Sequence, residues 1–417
     1  MNLKINYKNS ICKVLIVLTL TIFVLIGNIG TFGTYVLANN TNSEPDINAE
    51  SALLIDNKTN KVLYSKDMNR KMFPASTTKI LTAILVLENH SLDEKVTASY
   101  TAVMTIPSGY STASIQIDEV LTVEQLLELL LVHSANDAAN VLAEYTGGSI
   151  DSFVAMMNTK INELGLSDTH FTNPYGLQDN NHYTTAHDLA IIMQYCLKND
   201  DFRKIAGQAS CAIPSTNKSE PRKYSSTNEL LIAGNSNYYP NLIAGKTGYT
   251  SEAGECLVSA AYIDNLELVG VILNSNNRFK DTRSLYNYGY TNFSIKNIVN
   301  EKDIITNVEV KNATKDTKNL NLLVSEDIPV LANNSDDLSK IEPQITLNSD
   351  IKAPIEDGQV LGKVSYSVNG ITYSTDLIAA NNVEKSNFVL YCLYGLGILI
   401  LILIIYKIIK DFTIKAV

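Results

Sequence analysis

The sequence has few of the residues from which disulfide frameworks and metal sites are built. Its five cysteines, spread over 417 residues, lack the spacing of a disulfide framework, so we expect buried thiols, although export would allow a disulfide. None of the five histidines stands in a metal-ligand pattern such as H-E-x-x-H, and we expect neither a metal nor another cofactor. That count leaves a Ser-His-Asp triad open, but no Gly-x-Ser-x-Gly elbow supports one.

The chain also lacks an excess of basic residues. Its formal net charge is −10, and this becomes −13 without residues 1–38, which carry three lysines and no acidic residue. An acidic protein is repelled by nucleic acids and by other anionic polymers. We therefore expect no nucleic-acid partner, a conclusion that excludes a class of ligand without identifying the substrate.

The N-terminus has the pattern of an export signal. Three lysines precede an apolar run from about residue 14 to residue 26, and Val36-Leu-Ala38 offers a small-residue cleavage site. This pattern predicts a signal peptide over residues 1–38, followed by a polar linker over residues 39–47. An uncleaved anchor is the alternative, because the stretch between the apolar run and the cleavage site is long.

A second apolar run lies near the C-terminus. Residues 388–406 carry no charge, and at ~1.5 Å per residue this helix would nearly cross the ~30 Å hydrocarbon layer. Lysines follow in residues 407–417, which favours a cytoplasmic tail. We predict a single transmembrane helix in the cell membrane, with the preceding chain on the extracytoplasmic side. A buried core helix is the alternative, but little sequence follows that could bury it.

The segment over residues 48–290 mixes strand and helix patterns. Ser51–Asp56 and Lys61–Ser65 flank a polar turn and predict a hairpin. Helical periodicity dominates from Thr77 to Leu197, and strand patterns return near Ala244. We expect an α+β domain, in which an antiparallel sheet has helices on its faces and its first strands are distant in sequence from its last.

Short alternating runs replace these patterns over residues 291–384. One of them, Ile371-Thr-Tyr-Ser-Thr375, follows an Asn369-Gly370 turn that is typical of a hairpin. The segment is therefore predicted to form a small all-β domain, and it contains no motif with catalytic residues.

Three short motifs carry the chemistry, and they occur in a fixed order: Ser76-Thr-Thr-Lys79, Ser134-Ala-Asn136 and Lys246-Thr-Gly248. Ser-x-x-Lys recurs elsewhere in the chain, but only Ser76 begins a long apolar run at helical spacing. Lys-Thr-Gly occurs once. The order of the three motifs is therefore more specific than any one of them.

The residues of the first motif suit nucleophilic catalysis. A serine hydroxyl is a weak nucleophile until a neighbouring base accepts its proton. Residues three apart on a helix share a face, so Lys79 can reach Ser76. Lys79 must be neutral to act as a base, which requires burial or a nearby cation such as Lys246. In the first turn of a helix, the free N–H groups around Ser76 would stabilise an oxyanion.

Each motif also has a purely structural interpretation. Ser76 could cap its helix while Lys79 lies on a solvated face, and Ser134 or Asn136 could cap the helix that follows them. Lys246-Thr-Gly248 could form a solvated turn, although the glycine would also let a ligand approach a strand edge. The presence of all three motifs favours the catalytic interpretation.

From about residue 48 to residue 383 the chain resembles the D-alanyl-D-alanine carboxypeptidases of serine peptidase family S11, which are low-molecular-mass penicillin-binding proteins. Further stretches that resemble the family are Phe171-Thr-Asn-Pro-Tyr-Gly-Leu177 and Gly245-Lys-Thr-Gly-Tyr-Thr-Ser-Glu-Ala-Gly254. The resemblance implies a catalytic domain like those of β-lactamases and transpeptidases, with a helical subdomain, and a sandwich-like domain after it. Many relatives end in an amphipathic helix, whereas this chain is predicted to span the membrane.

The resemblance also implies a role for each matching residue. Ser76 would be acylated, Lys79 would be its general base, and Ser134 would relay the proton to the leaving D-alanine. The substrate would be bound by Asn136, Lys246, Thr247, Gly248 and Arg278. Arg283 is a weaker candidate for the carboxylate-binding arginine, and Arg278 could instead be an ordinary solvated surface residue. The backbone N–H groups of Ser76 and Tyr249 would form the oxyanion hole.

The partners implied by the resemblance are a peptidoglycan stem pentapeptide as substrate and β-lactams as covalent inhibitors. A β-lactamase shares the three motifs, but the Glu-x-x-x-Asn setting of class A enzymes is missing between Asn136 and Lys246. An endopeptidase or a transpeptidase using the same serine stays open. A non-catalytic wall-binding protein with a decayed site is disfavoured, because the motif residues are intact.

Overall fold

The computed structural model describes residues 44–415, with side chains up to residue 409. The predicted signal peptide over residues 1–38, with its cleavage site, and linker residues 39–43 lie outside the described residues. Three parts follow one another along the described chain: a mixed helical and β region, a β domain and a long apolar helix.

The centre of the first part is a five-stranded antiparallel sheet with the strand order β2-β1-β9-β8-β7. The first two strands form the predicted hairpin, and β1 is buried along its whole length because it lies between β2 and β9. Asp264 and Asn265, both at positive φ, form the two-residue turn between β8 and β9. The strands are Ser51–Asp56 (β1), Val62–Lys66 (β2), Leu242–Thr250 (β7), Gly254–Ile263 (β8) and Leu266–Ser275 (β9).

Two layers of helix cover this sheet. The large core, on one face, contains the predicted apolar helix after Ser76, whose residues 79–86 are all buried. The helix that follows β9 packs on the opposite face through Leu285 and Tyr286. The helices are Lys79–Asn89 (α1), Tyr100–Met104 (α2), Val123–Leu131 (α3), Asn136–Gly147 (α4), Ile150–Glu163 (α5), Ala186–Cys196 (α6), Asp200–Ala206 (α7) and Arg278–Asn292 (α8).

Smaller elements complete the helical part. Thr122 and Gln125 form a capping box at the start of α3, which fixes where the helix before the second motif begins. Short 3₁₀ turns occupy Ala75–Thr78, Glu229–Leu231 and Leu338–Lys340. Two small two-stranded sheets are formed by Lys95–Thr97 (β3) with Val120–Thr122 (β4), and by Ser210–Ile213 (β5) with Arg222–Ser225 (β6).

The second part is the predicted β domain, with its own core. Its five-stranded sheet has the order β11-β12-β16-β15-β14, and β10 pairs with β13 beside it. Helix α8 continues to Asn292, two residues past the predicted boundary, before β10 begins at Phe293. The strands are Phe293–Asn297 (β10), Ile304–Glu309 (β11), Asn319–Val324 (β12), Pro329–Asn333 (β13), Gln344–Leu347 (β14), Val360–Val368 (β15) and Ile371–Ala379 (β16).

The last element is a 28-residue helix, Phe388–Lys415 (α9). Within its segment Phe388–Ile409, an 18-residue stretch has a mean hydropathy of 2.9, and none of that stretch is buried against the rest of the described chain, so the core-helix alternative is wrong. The helix is long and apolar enough to cross a membrane, which supports membrane anchoring.

The described cysteines are all free thiols. Cys196, Cys211 and Cys256 are buried, as predicted, and burial raises the pKa of each thiol. Cys392 differs from the prediction because it lies on α9 and is exposed among the described residues.

Candidate active site

Ser76 lies in the 3₁₀ turn Ala75–Thr78, not in the first turn of an α-helix as the sequence predicted. A 3₁₀ turn has about three residues per turn, so side chains at i and i+3 lie one above the other. Lys79, the first residue of α1, therefore places its Nζ 2.8 Å from Ser76 Oγ. The residue before the serine, Ala75, has a φ of 48°, a left-handed conformation that costs energy for a residue with a Cβ.

Lys79 is fully buried, so the solvated-face interpretation is wrong. Its Nζ lies 2.6 Å from Asn136 Oδ1, 3.2 Å from Tyr175 O and 3.4 Å from Ser134 Oγ. Burial, and then the charge of Lys246, hold the pKa of Lys79 well below its ordinary value. The amine is therefore surrounded by hydrogen-bonding groups and deprived of the water that would stabilise its charged form.

The second motif forms the junction between α3 and α4. Ser134 has a φ of 66°, and this bend turns its side chain toward Lys79. The cap position of α4 is Ala135, which has no side-chain oxygen, and Asn136 is the first helical residue. The capping interpretation of Ser134 and Asn136 is therefore wrong, because both side chains are buried beside Lys79 instead.

The third motif lies within β7, at the edge of the main sheet, so it is not a solvated turn. Lys246 is 1% exposed and its Nζ donates to Thr247 O at 2.8 Å. Burial, with a contribution from Arg278, lowers the pKa of Lys246 to about 7. The Thr247 hydroxyl lies 2.6 Å from the hydroxyl of Thr227.

Gly248 is required by close packing inside the protein. A Cβ at this position would lie 2.9 Å from Pro74 O and 2.9 Å from Ser76 N, which is too close for a side chain. The sequence interpretation assigned this closeness to a ligand, whereas the structure shows that the turn carrying Ser76 occupies the space. Gly248 therefore lets β7 pack directly against the serine.

Of the two candidate arginines, only Arg278 contacts this strand. It is the first residue of α8, and its Nη1 donates to Gly248 O at 2.7 Å, while its Nε is buried without a partner. Arg283 instead donates from an exposed position to Ser236 O. Tyr249 follows Gly248 on the strand, and its side chain is 64% exposed.

Two contacts of the site were not predicted from the sequence. The loop over residues 171–177 passes over the start of α1, where Thr82 Oγ1 donates to Pro174 O and Tyr175 O accepts from Lys79. Thr227 reaches Thr247 from the segment before β7. Two features of the sequence could have indicated these contacts. They are the family-like stretch that ends at Leu177 and a second Ser-x-Asn motif at Ser226-Thr-Asn228.

Within the part of the chain that the structure describes, no group of three or more His, Cys, Asp or Glu side chains is arranged to hold a metal ion. The arrangement offers a hydroxyl next to a desolvated amine, a second hydroxyl near that amine, and two basic groups, one on the edge strand and one beside it. Such a set is suited to acyl transfer to a serine from a substrate that carries a carboxylate.

Comparisons with known proteins agree with this chemistry. A profile of the D-alanyl-D-alanine carboxypeptidase family matches residues 38–277, and one of the C-terminal domain of penicillin-binding protein 5 matches residues 293–385. The D-alanyl-D-alanine carboxypeptidase DacF of Bacillus subtilis is 30% identical over 359 residues, which are 84% of this chain and 89% of DacF.

Solved structures show the same similarity. Penicillin-binding protein 5 of Haemophilus influenzae has a TM-score of 0.61 and 26% identity, over 82% of this chain and 100% of that one. PBP3 of Streptococcus pneumoniae, described as a peptidoglycan synthesis regulatory factor, has a TM-score of 0.65 and 28% identity, over 81% of this chain and 100% of that one.

The fold and these matches define a serine hydrolase of the penicillin-binding protein class. The chain belongs to the D-alanyl-D-alanine carboxypeptidase family of S11 serine peptidases, whose profile covers more than half of it. The predicted α+β fold with a C-terminal β domain and an apolar C-terminal helix is confirmed, and so is the function of a D-Ala-D-Ala carboxypeptidase.

The packing around Ser76 gives a first prediction. Gly176 has a φ of 89°, and a Cβ there would lie 1.8 Å from Ala75 O. Gly176→Ala should therefore destabilise the protein by about 1–3 kcal/mol more than Gly165→Ala, because overpacking adds to the strain of positive φ. Gly165, at a φ of 74°, has no atom within 4 Å of its Cβ position, so this variant controls for backbone strain alone.

The measurement is chemical denaturation of the two purified variants beside the wild type. Equal losses of unfolding free energy in both variants would show that the turn before Ser76 can yield to an added methyl group. That result would contradict the view that the loop and the turn are rigidly packed.

Proposed function

We propose that Ser76 is the nucleophile of this carboxypeptidase and that Lys79 is its general base. The observation that carries the proposal is the burial of the Lys79 amine 2.8 Å from Ser76 Oγ. A neutral amine has two hydrogens and one lone pair. Asn136 Oδ1 and Tyr175 O are acceptors and take the two hydrogens, so the lone pair is left for the proton of the Ser76 hydroxyl.

In acylation, Ser76 Oγ attacks the carbonyl carbon between the two terminal D-alanines while its proton passes to Lys79. Ser134, whose Oγ lies 3.4 Å from Lys79 Nζ, relays a proton to the nitrogen of the leaving D-alanine as the C–N bond breaks. Water then attacks the ester, and the shortened stem peptide leaves. The backbone N–H groups of Ser76 and Tyr249 stabilise the oxyanion in both steps.

Substrate binding is assigned to the strand edge and its neighbours. The Asn136 amide holds the peptide, while Lys246, Thr247 and Arg278 receive the terminal carboxylate. An arginine with a free, buried Nε–H is suited to this role, because a guanidinium can bind a carboxylate with two parallel hydrogen bonds. β-Lactams acylate the same serine because their strained amide lies where the D-Ala–D-Ala bond would lie.

Mass spectrometry of the full-length protein in detergent tests these assignments. Brief exposure to benzylpenicillin should add one acyl group, and peptide mapping should place it on Ser76. Ser76→Ala should remove the adduct. Lys79→Ala should slow acylation by at least the ~10²–10⁴-fold typical of a lost general base. An adduct on another residue, or a Lys79→Ala variant within twofold of the wild type, would refute the assignment.

The same sample separates the remaining alternatives. Release of D-alanine from a stem pentapeptide, without cleavage of a cross-linked dimer, is expected of a carboxypeptidase. Cleavage or formation of cross-links would indicate an endopeptidase or a transpeptidase instead. Rapid turnover of penicillin without a lasting adduct would indicate a β-lactamase.

The two buried lysines also predict a pH dependence. Lys79 works when it is neutral, so kcat/KM should fall as the pH decreases through its lowered pKa. Lys246 works when it is charged, so kcat/KM should also fall as the pH rises through about 7. Lys246→Arg keeps its charge at alkaline pH and should move the upper limb to higher pH. An unchanged upper limb in that variant would contradict the role of Lys246.

The orientation of the protein in the membrane can be inferred from the charged residues next to the apolar helix. We infer that α9 spans the cell membrane once, with residues 407–417 in the cytoplasm and the catalytic domain outside, where peptidoglycan is found. The support is the apolar segment Phe388–Ile409, followed by further lysines.

Protease treatment of spheroplasts that express the full-length protein with a C-terminal epitope tests this topology. The catalytic domain should be digested while the epitope stays protected on a small membrane fragment. Permeabilised spheroplasts provide the control, since the epitope must then be lost. Loss of the epitope in intact spheroplasts would reverse the inferred orientation.

A further inference from the structure

His182 is a buried histidine that the acyl-transfer chemistry does not use, and it lies behind the turn that carries Ser76. It is 2% exposed. Its Nδ1 lies 3.0 Å from the backbone N–H of Thr172 and its Nε2 lies 2.8 Å from Thr78 Oγ1. The Thr78 hydroxyl is in turn 2.9 Å from Ala75 O. These contacts link the loop over residues 171–177 to the residue that precedes Ser76.

In this series of hydrogen bonds, from Thr172 through His182 and Thr78 to Ala75, the donor and the acceptor of each bond follow from the chemistry of the groups. A backbone N–H can only donate, so Nδ1 of His182 is the acceptor and Nε2 carries the hydrogen. That N–H donates to Thr78 Oγ1, and the Thr78 hydroxyl can then donate only to Ala75 O. Burial lowers the pKa of His182 to about 3, so the imidazole stays neutral and this tautomer persists at working pH.

The series of hydrogen bonds ends at the peptide group that joins Ala75 to Ser76. A trans peptide is planar, and its C=O and N–H point in opposite directions. Holding Ala75 O therefore fixes the direction of the Ser76 N–H. Glycines pack against both ends of this group, since Cβ atoms at Gly176 and Gly248 would lie 1.8 Å from Ala75 O and 2.9 Å from Ser76 N, respectively.

We propose that His182 is a positioning residue, which acts through Thr78 on the Ala75–Ser76 peptide and thereby aims the Ser76 N–H at the developing oxyanion. The inference rests on the proposed roles of Ser76 as nucleophile and oxyanion donor. The Ala75–Ser76 peptide plane needs the hydrogen bond from Thr78 because Ala75 is held at a φ of 48°. A residue with a Cβ is strained there and would relax to a more common conformation. His182 touches neither substrate nor Ser76 and is not itself a catalytic residue.

Two pairs of matched variants test the proposal in the full-length protein. Thr78→Ser keeps the hydroxyl, whereas Thr78→Val keeps the shape and loses it. His182→Gln keeps a donor near the Nε2 position, whereas the shorter His182→Asn keeps an acceptor near Nδ1 and loses the donor. Stopped-flow labelling with a fluorescent penicillin gives the noncovalent Kd, the acylation rate constant and the final fraction of acylated protein.

We expect Thr78→Val and His182→Asn to slow acylation by about tenfold or more, a partial loss compared with the ~10²–10³-fold cost of removing an oxyanion donor. Thr78→Ser and His182→Gln should remain within about threefold of the wild type. The noncovalent Kd should change little in all four variants, because positioning acts on the transition state.

A purely structural role would give another pattern. The fraction of acylated protein would then fall with the folded fraction, while the rate constant of the protein that still reacts would match the wild type in all four variants. That pattern would overturn the inference and leave the function of Ser76 intact. A wild-type protein that is not acylated at all would overturn the proposed nucleophile together with the inference that rests on it.

Discussion

The exclusion of water from the Lys79 amine is the constraint on which the rest of the site depends. A lysine on a solvated helix face is charged and cannot accept a proton from a serine. Here α1 is buried from Lys79 to Val86, so the amine sits at the centre of the helical region and not at its surface. The helices, the loop over residues 171–177 and the edge strand β7 all contribute to this desolvation. The proposed catalytic chemistry therefore depends on the packed core. Loosening that packing would abolish it even if every motif residue were kept.

A second buried lysine adds to the effect of burial on the pKa of Lys79. Lys246 is also almost fully buried, and its charge disfavours protonation of Lys79, while Arg278 does the same to Lys246. Three basic side chains, of which Lys79 is kept neutral, thus lie around one edge strand in a protein whose net charge is −10. In the proposed function a substrate carboxylate is the counter-ion of Lys246 and Arg278, and within the protein Glu255 accepts the backbone N–H of Arg278. The site as we propose it is therefore suited to an anionic peptide terminus, in agreement with the activity of the family.

Much of this architecture could be read from the sequence, because its signals are local. The β1–β2 hairpin, the Asp264-Asn265 turn, the apolar helix after Ser76 and the C-terminal apolar helix all follow from residue patterns within about twenty positions. The misses concern contacts between distant segments. Nothing near Gly248 in sequence shows that Pro74 and Ser76 pack against it, and nothing near Lys79 shows that Tyr175 O takes one of its hydrogens. Likewise, the left-handed Ala75 is invisible to propensity, since alanine favours a regular helix.

The strained positions themselves explain why the site resists prediction. Ala75 and Ser134 both have positive φ, and each directly adjoins or belongs to a catalytic motif. Local preference alone would place Ser76 inside an ordinary helix and would let Ser134 or Asn136 cap α4. Tertiary packing overrides both preferences, because the hydroxyls of Ser76 and Ser134 converge on a single amine from the turns that precede α1 and α4, two helices that start 57 residues apart, at Lys79 and Asn136. Strained backbone at Ala75 and Ser134, held in place by the surrounding core, thus brings two short and common motifs together in one site.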